Sequence, residues 1–187
     1  MDTFSNLAGQ FLIAMPGMGD PQFTHGVTLV CQHNEEGAVG LLVNRPSRIR
    51  LGEVLEQMDL SCEQPDISGQ LVLQGGPVQP ERGFVLHSGT PSWDASYRID
   101  MHWSVTTSRD ILTAVAAGQG PRQAVVALGY AGWEAGQLVR EIKDNAWLTA
   151  KASDRIVFET PLEDRWSAAA DLVGIDVSRL AGYAGHA

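Results

Sequence analysis

The chain has 187 residues, 44% of them apolar, enough to bury one sizeable core and short for two independent domains, so a single domain over residues 1–187 is expected. Acidic residues outnumber basic ones 22 to 13, giving a formal charge of −9, and lysine stands only at Lys143 and Lys151. Such a chain repels phosphate backbones, and the arginine group at Arg45, Arg48 and Arg50 is too small a footprint for duplex DNA, so direct nucleic-acid binding is disfavoured.

Residues 10–15 are apolar after Gln10 and stop at Pro16, Gly17 and Gly19, as a buried strand running into a loop does; that loop, GMGDP, holds Asp20. The FLIAM run is far too short to cross a membrane, Asp2 stands where a secretion signal carries positive charge, and Cys31 and Cys62 cannot staple a secreted scaffold. A reduced, cytoplasmic setting without membrane attachment is therefore expected. VTLVCQH at 27–33 and AVGLLVN at 38–44 form a hairpin around Asn34, Glu35, Glu36 and Gly37. The break at residues 44–47 precedes a helix carried by Leu51, Val54, Leu55 and Met58 and ending near Asp59, and residues 61–69 read as a surface connection.

Strands resume with LVLQ before Gly75, Gly76 and Pro77, then RGFVLH, a Ser/Gly/Pro loop, SYRID and WSVT. Thr107 or Ser108 caps a helix through Asp110, Ile111, Leu112, Val115 and Ala116, stopped by Gly118. QAVVALG is a buried strand and WEAGQLVREIKDN a helix, which puts ALGYAGWEAGQ at a strand-to-helix corner, the place where α/β proteins build binding sites. Thr160, Pro161 and Glu163 open a helix running through Trp166, Ala169 and Leu172 to Gly174, followed by a short helix at 178–183. Strand pairs outnumber strand–helix alternations, so an α+β fold with a mixed, mostly antiparallel sheet is predicted.

The candidate ligand contacts are Asp20, Asn44, Arg45, Gly75, Gly76, His87, Gly129, Tyr130, Gly132, Trp133 and Glu134. Glycines permit close backbone approach, Arg45 can fork onto a carboxylate or phosphate, and His87 ends a strand where an imidazole can move a proton. Each has a bland counterpart: glycines for tight packing, Asp20 for an Asx turn, Arg45 solvated or paired beside Pro46, His33 and His87 as satisfied structural histidines, Cys31 as an inert buried thiol. GYAGW lacks the serine of a nucleophile elbow, no P-loop lysine or GxGxxG order is present, and no HExxH, HxH or CxxC spacing points to a metal; neither metal nor cofactor is expected.

Four strings, FLIAMPGMGDPQF at 11–23, HNEEGAVGLLVNRP at 33–46, GGPVQPERGFVLH at 75–87 and GQGPRQAVVALGYAGWEAGQLVREIKDNAWL at 118–148, together resemble the bacterial YqgE/AlgH family nearly end to end. The resemblance implies a compact α+β fold whose sheet forms a bifurcated, barrel-like core with flanking helices. It implies little about activity: the family takes its name from a regulator of alginate production in pseudomonads, transcriptional-regulator labels follow from that name, and no catalytic residue transfers. No helix-turn-helix can be read in the chain. The expected function is a ligand- or protein-binding regulatory module acting indirectly on gene expression, with the loops at 15–21, 44–46, 75–78 and 129–134 converging on one cleft for a small anionic ligand or a partner protein. The alternatives are an enzyme using Asp20, His33 or His87 with Arg45 orienting an anionic substrate, and a direct DNA-binding regulator, which the acidity disfavours.

Overall fold

The computed structural model describes residues 6–90 and 92–179. The chain forms two compact units, one running up to Arg45 and resuming at Ala131, the other spanning Pro46–Tyr130. The first opens with β1 (Gln10–Ala14), whose run Phe11 to Ala14 is at most 1% exposed. The expected hairpin follows as β2 (Val27–Asn34) and β3 (Gly37–Leu42), with the Glu36 N–H held by Asn34 Oδ1 at the turn. The register shifts between Val30 and Gln32, so Cys31 is a bulge residue; it is buried, and desolvation pushes its thiol up to about 12, which keeps it protonated and inert.

The second unit begins with β4 (Pro46–Arg50), a strand where the sequence reads as a break, because Pro46 on an edge needs no N–H partner; it pairs with β5 (Leu71–Gln74). Between them lie α1 (Leu51–Gln57), whose Glu53 carboxylate accepts the Arg50 N–H at 2.7 Å, and α2 (Pro65–Ser68), one turn inside what reads as a surface connection. β6 (Val78–Ser88) pairs with β8 (Trp103–Thr106), which carries β7 (Ser96–Arg98) on its other side. α3 (Arg109–Ala116) starts at Ser108 and stops before Gly118 at φ +75°, as its sequence requires. Leu51, Leu55, Val72, Val85, Ile111 and Val126 make this unit's core.

β9 (Ala124–Glu134) overturns the expected strand-to-helix corner: Gly129, Tyr130, Gly132 and Trp133 are strand residues, and α4 (Gln137–Lys143) begins only after Gly136, which takes the left-handed conformation at φ +74°. Gly129 does not end the strand; it stands opposite a bulge of β6, where residues 79–82 face this one position. Its φ is +77°, and a Cβ there would lie 2.4 Å from the Gly76 carbonyl oxygen. Up to Tyr130 the strand pairs antiparallel with β6 and parallel with β5; from Ala131 it pairs antiparallel with β3.

The first unit then closes with β10 (Trp147–Lys151), α5 (Asp154–Phe158), a 3-10 turn (Leu162–Asp164) and α6 (Arg165–Asp171). β10 pairs antiparallel with β1, its Leu148 and Ala150 in register with Ile13 and Phe11. The Thr160 hydroxyl donates back to the Arg155 carbonyl instead of capping the next helix, and Pro161 leads into the 3-10 turn. The helix expected at 178–183 lies largely outside the described residues. Within each unit the α+β reading holds, with mostly antiparallel strands and one parallel contact, β5 on β9.

Candidate functional site

In the first unit the conspicuous polar residues hold backbone. Asn44 caps two strand ends, accepting the Val27 N–H at 2.9 Å and donating to the His25 carbonyl at 2.8 Å. Arg45 donates from Nη1 to Pro21 O at 3.1 Å and from Nη2 to Thr24 O at 2.8 Å. Asp20 accepts the Gln22 N–H, the Asx turn its loop composition favours. The loops at 15–21 and 44–45 thus meet, and their hydrogen bonds are turned on one another. The strap they pin continues to His25, at φ +56° and stacked on Trp166 with centroids 4.1 Å apart.

Phe23, Trp133 and Trp147 pack with centroids 5.6–6.2 Å apart, which closes this aromatic cluster on itself. Glu141 stands against it: burial raises its carboxyl, the indoles of Trp133 and Trp147 offset part of that, and the charge of Asp20 adds to the rise. Glu134 is exposed, with its N–H accepted by Gln137 Oε1. His33 is 6% exposed, receives the Leu7 N–H at 3.2 Å, and is lowered in pKa by desolvation.

In the second unit Gly75, Gly76 and Gly129 form one junction, where the Gly75 N–H bonds Leu128 O and Gly129 lies on the Gly76 carbonyl. Tyr130 packs edge-on against Phe84. His87 is 1% exposed and lowered by desolvation, partly offset by Ser88 O. Because its Nδ1 faces that carbonyl at 3.0 Å, Nδ1 donates, so Nε2 accepts the Thr106 hydroxyl at 2.8 Å; Thr106 Oγ1 in turn accepts Ser96 Oγ–H at 2.7 Å. The three side chains form an ordered chain ending on a neutral imidazole.

The same unit carries a cleft of about 390 Å³ that includes none of the residues expected from sequence to contact a ligand. Val54 of α1 and Met58 just past its end, Phe84 and Val85 of β6, Leu112 of α3 and Val126 and Leu128 of β9 line it, with Thr106, Thr107, Ser108, Arg109, Gln57 and Glu81 as its polar groups. Val54 lies on α1 and Met58 is the residue that caps its C-terminus; Leu112 lies one turn after Arg109 on α3. Arg109 donates from Nη2 to Met58 O and forms no ion pair among the described residues. The helical spacing of Val54, Met58 and Leu112 was legible, but it marks a wall of the cleft as well as packing. Among the described residues no group of three or more His, Cys, Asp or Glu side chains gathers to hold a metal, and no helix is long and apolar enough to cross a membrane.

Fold and cleft define an α+β protein with two compact units, one bearing a largely apolar pocket with a few polar groups in its lining. The chain belongs to the AlgH-like family, whose profile matches residues 11–178. A UPF0301 protein of Xanthomonas euvesicatoria pv. vesicatoria is 54% identical over 181 residues, covering 97% of this chain and 96% of the relative, and one of Xanthomonas axonopodis pv. citri matches equally. The solution structure of the AlgH protein from Pseudomonas aeruginosa is similar with a TM-score of 0.79 and 47% identity over 100% of both chains. A Corynebacterium diphtheriae protein shares the fold at TM-score 0.69 and 22% identity, over 90% of this chain and 87% of its own.

Proposed function

We propose that the chain is a cytoplasmic, ligand-binding regulatory module whose ligand site is the cleft of the second unit, acting on gene expression through a partner and not by touching DNA. The observation that carries this is the cleft itself, about 390 Å³ with apolar walls and a few polar groups in its lining, the ordinary make-up of a small-molecule site. The net charge of −9 speaks against duplex contact. The test is amide shift perturbation of the full chain against a mixed panel of small apolar, anionic and nucleotide fragments. Shifts centred on Val54, Arg109 and Leu112 are expected. Silence there, or shifts confined to the 15–25 strap, contradicts the reading.

A second reading, an enzyme acting on a small anionic substrate, draws on one observation: Thr106 lines the cleft and its hydroxyl bonds His87 Nε2. His87 would then accept a proton through Thr106. A His87→Gln variant that keeps ligand affinity but loses turnover supports this; a wild-type chain that binds ligands and leaves them unchanged removes it.

A further inference from the structure

We infer that the cleft takes an apolar α-amino acid, its side chain on the cleft floor and its two charges read by Arg109 and Glu81, an inference that rests on reading the cleft as the ligand site. Exposure orients the cleft. Of its lining, Val85, Thr106 and Val126 are buried and form the floor, whereas Gln57, Glu81, Thr107 and Arg109 are exposed and lie at the mouth. Val54, Leu112 and Leu128 are half-buried and make walls between them. The floor is apolar apart from Thr106, whose hydroxyl is held by His87 and Ser96, so the side chain that suits it is apolar.

The two charges of the mouth lie on one side of it. β6 and β8 run antiparallel with Val85 opposite Thr106, so the same pairing carried two residues further sets Ser108 beside Gly83, and both of these line the cleft. The Thr107 N–H donates to Ala95 O and the Ser108 hydroxyl accepts the Ala95 N–H, which holds the chain to its strand course up to the start of α3. Arg109 follows Ser108 by one residue, and Glu81 precedes Gly83 by two, in the bulge of β6. A cation and an anion therefore flank the same stretch of the mouth, yet no ion pair joins them among the described residues. One Arg109 nitrogen is held by the Met58 carbonyl, which fixes the planar fork and leaves its other donors for a carboxylate. The neighbouring Asp110 is turned elsewhere, accepting the Asp94 and Ile111 N–H groups and the Ser108 hydroxyl. A zwitterionic head answers both charges. An acid without the amine meets Glu81 unopposed, and an amine without the acid meets Arg109.

Calorimetric titration of the full chain tests this with phenylalanine and three analogues: phenylpropanoate, which lacks the amine, phenylethylamine, which lacks the carboxylate, and glycine, which lacks the side chain. Phenylalanine is expected to bind at least about tenfold more tightly than each analogue, the scale of one charge-assisted hydrogen bond. Arg109→Gln is expected to bring phenylalanine down to phenylethylamine without weakening phenylethylamine. Glu81→Gln is expected to bring it down to phenylpropanoate without weakening phenylpropanoate. Loss of the brace that Arg109 gives Met58 would instead weaken every ligand alike, and Glu81→Gln, which leaves that brace intact, then decides. Equal binding of any analogue, or a Glu81→Gln chain that still prefers phenylalanine to phenylpropanoate, overturns the amino-acid assignment and leaves the cleft a ligand site. Silence toward all four ligands also overturns it, and the broader reading then stands or falls on the fragment panel.

Discussion

The two units use their polar residues in opposite ways. In the first, Asn44, Arg45 and Asp20 are side chains of the kind that bind ligands, yet their hydrogen bonds go to the backbone of the 20–27 segment. In the second, ordinary apolar residues from α1, β6, α3 and β9 line a cleft, and one arginine in its lining has no ion pair among the described residues. The comparison teaches that a conspicuous turn residue reports first what the backbone needs. A cleft is assembled by side chains whose sequence signal is the same periodicity that builds a core.

The sharpest way to break this contrast is at Gly129. Its φ of +77° and the 2.4 Å separation of an added Cβ from Gly76 O predict that Gly129→Ala destabilises by about 3 kcal/mol or more, read from urea unfolding. Gly17, where an added Cβ meets nothing within 4 Å, is the control, and Gly17→Ala is expected to stay within about 0.5 kcal/mol. If both behave alike, the glycines are not serving backbone geometry.

Next in size is Arg165, 7% exposed, whose Nε and Nη1 donate to Thr160 O at 2.8 Å and Val43 O at 2.6 Å. Burial lowers its pKa, so the charge sits where water would serve it better, and these carbonyls are what keep it there. Arg165→Ala is expected to cost about 3 kcal/mol through two stranded carbonyls and a cavity. Arg45→Ala, which frees two more exposed carbonyls, is expected to cost about 1 kcal/mol.

Smaller still is the pH effect of the buried imidazoles. His33 and His87 have folded pKa values below their ordinary 6.5, so the unfolded chain binds protons more readily than the folded one. Their contribution is fully present above pH 6.5 and is lost as pH falls through the lower folded values. Unfolding free energy is therefore expected to decline from pH 7 toward pH 5, and less steeply in His87→Gln. An unchanged slope in that variant rules His87 out as the source.

Much of the fold was legible. The first hairpin, α1, β5 and α3 were set by alternation, helical spacing and the Gly118 stop, all local signals. What escaped was decided by partners distant in sequence. β10 is a strand because Trp147–Lys151 finds an edge on β1, and β4 because Pro46 and Arg50 find β5. The 129–133 segment misled because glycines that punctuate a strand look like its end. Here β9 runs on through Gly129, opposite a bulge of β6, and the true helix start is marked by Gly136. The site followed the same rule: Asp20 and Arg45 were legible as residues, and the lining of the cleft was not, since only the packing of α1 and α3 over β6 and β9 creates it.

The most direct test of the central claim, that ligand recognition resides in the second unit's cleft and not in the first unit's polar loops, sets Leu112→Trp against Arg45→Ala. Titrated with whichever fragment binds the wild-type chain most tightly, Leu112→Trp, which fills the cleft, should abolish binding, and Arg45→Ala should leave the affinity within about twofold. Retained binding in Leu112→Trp together with loss in Arg45→Ala would contradict the account.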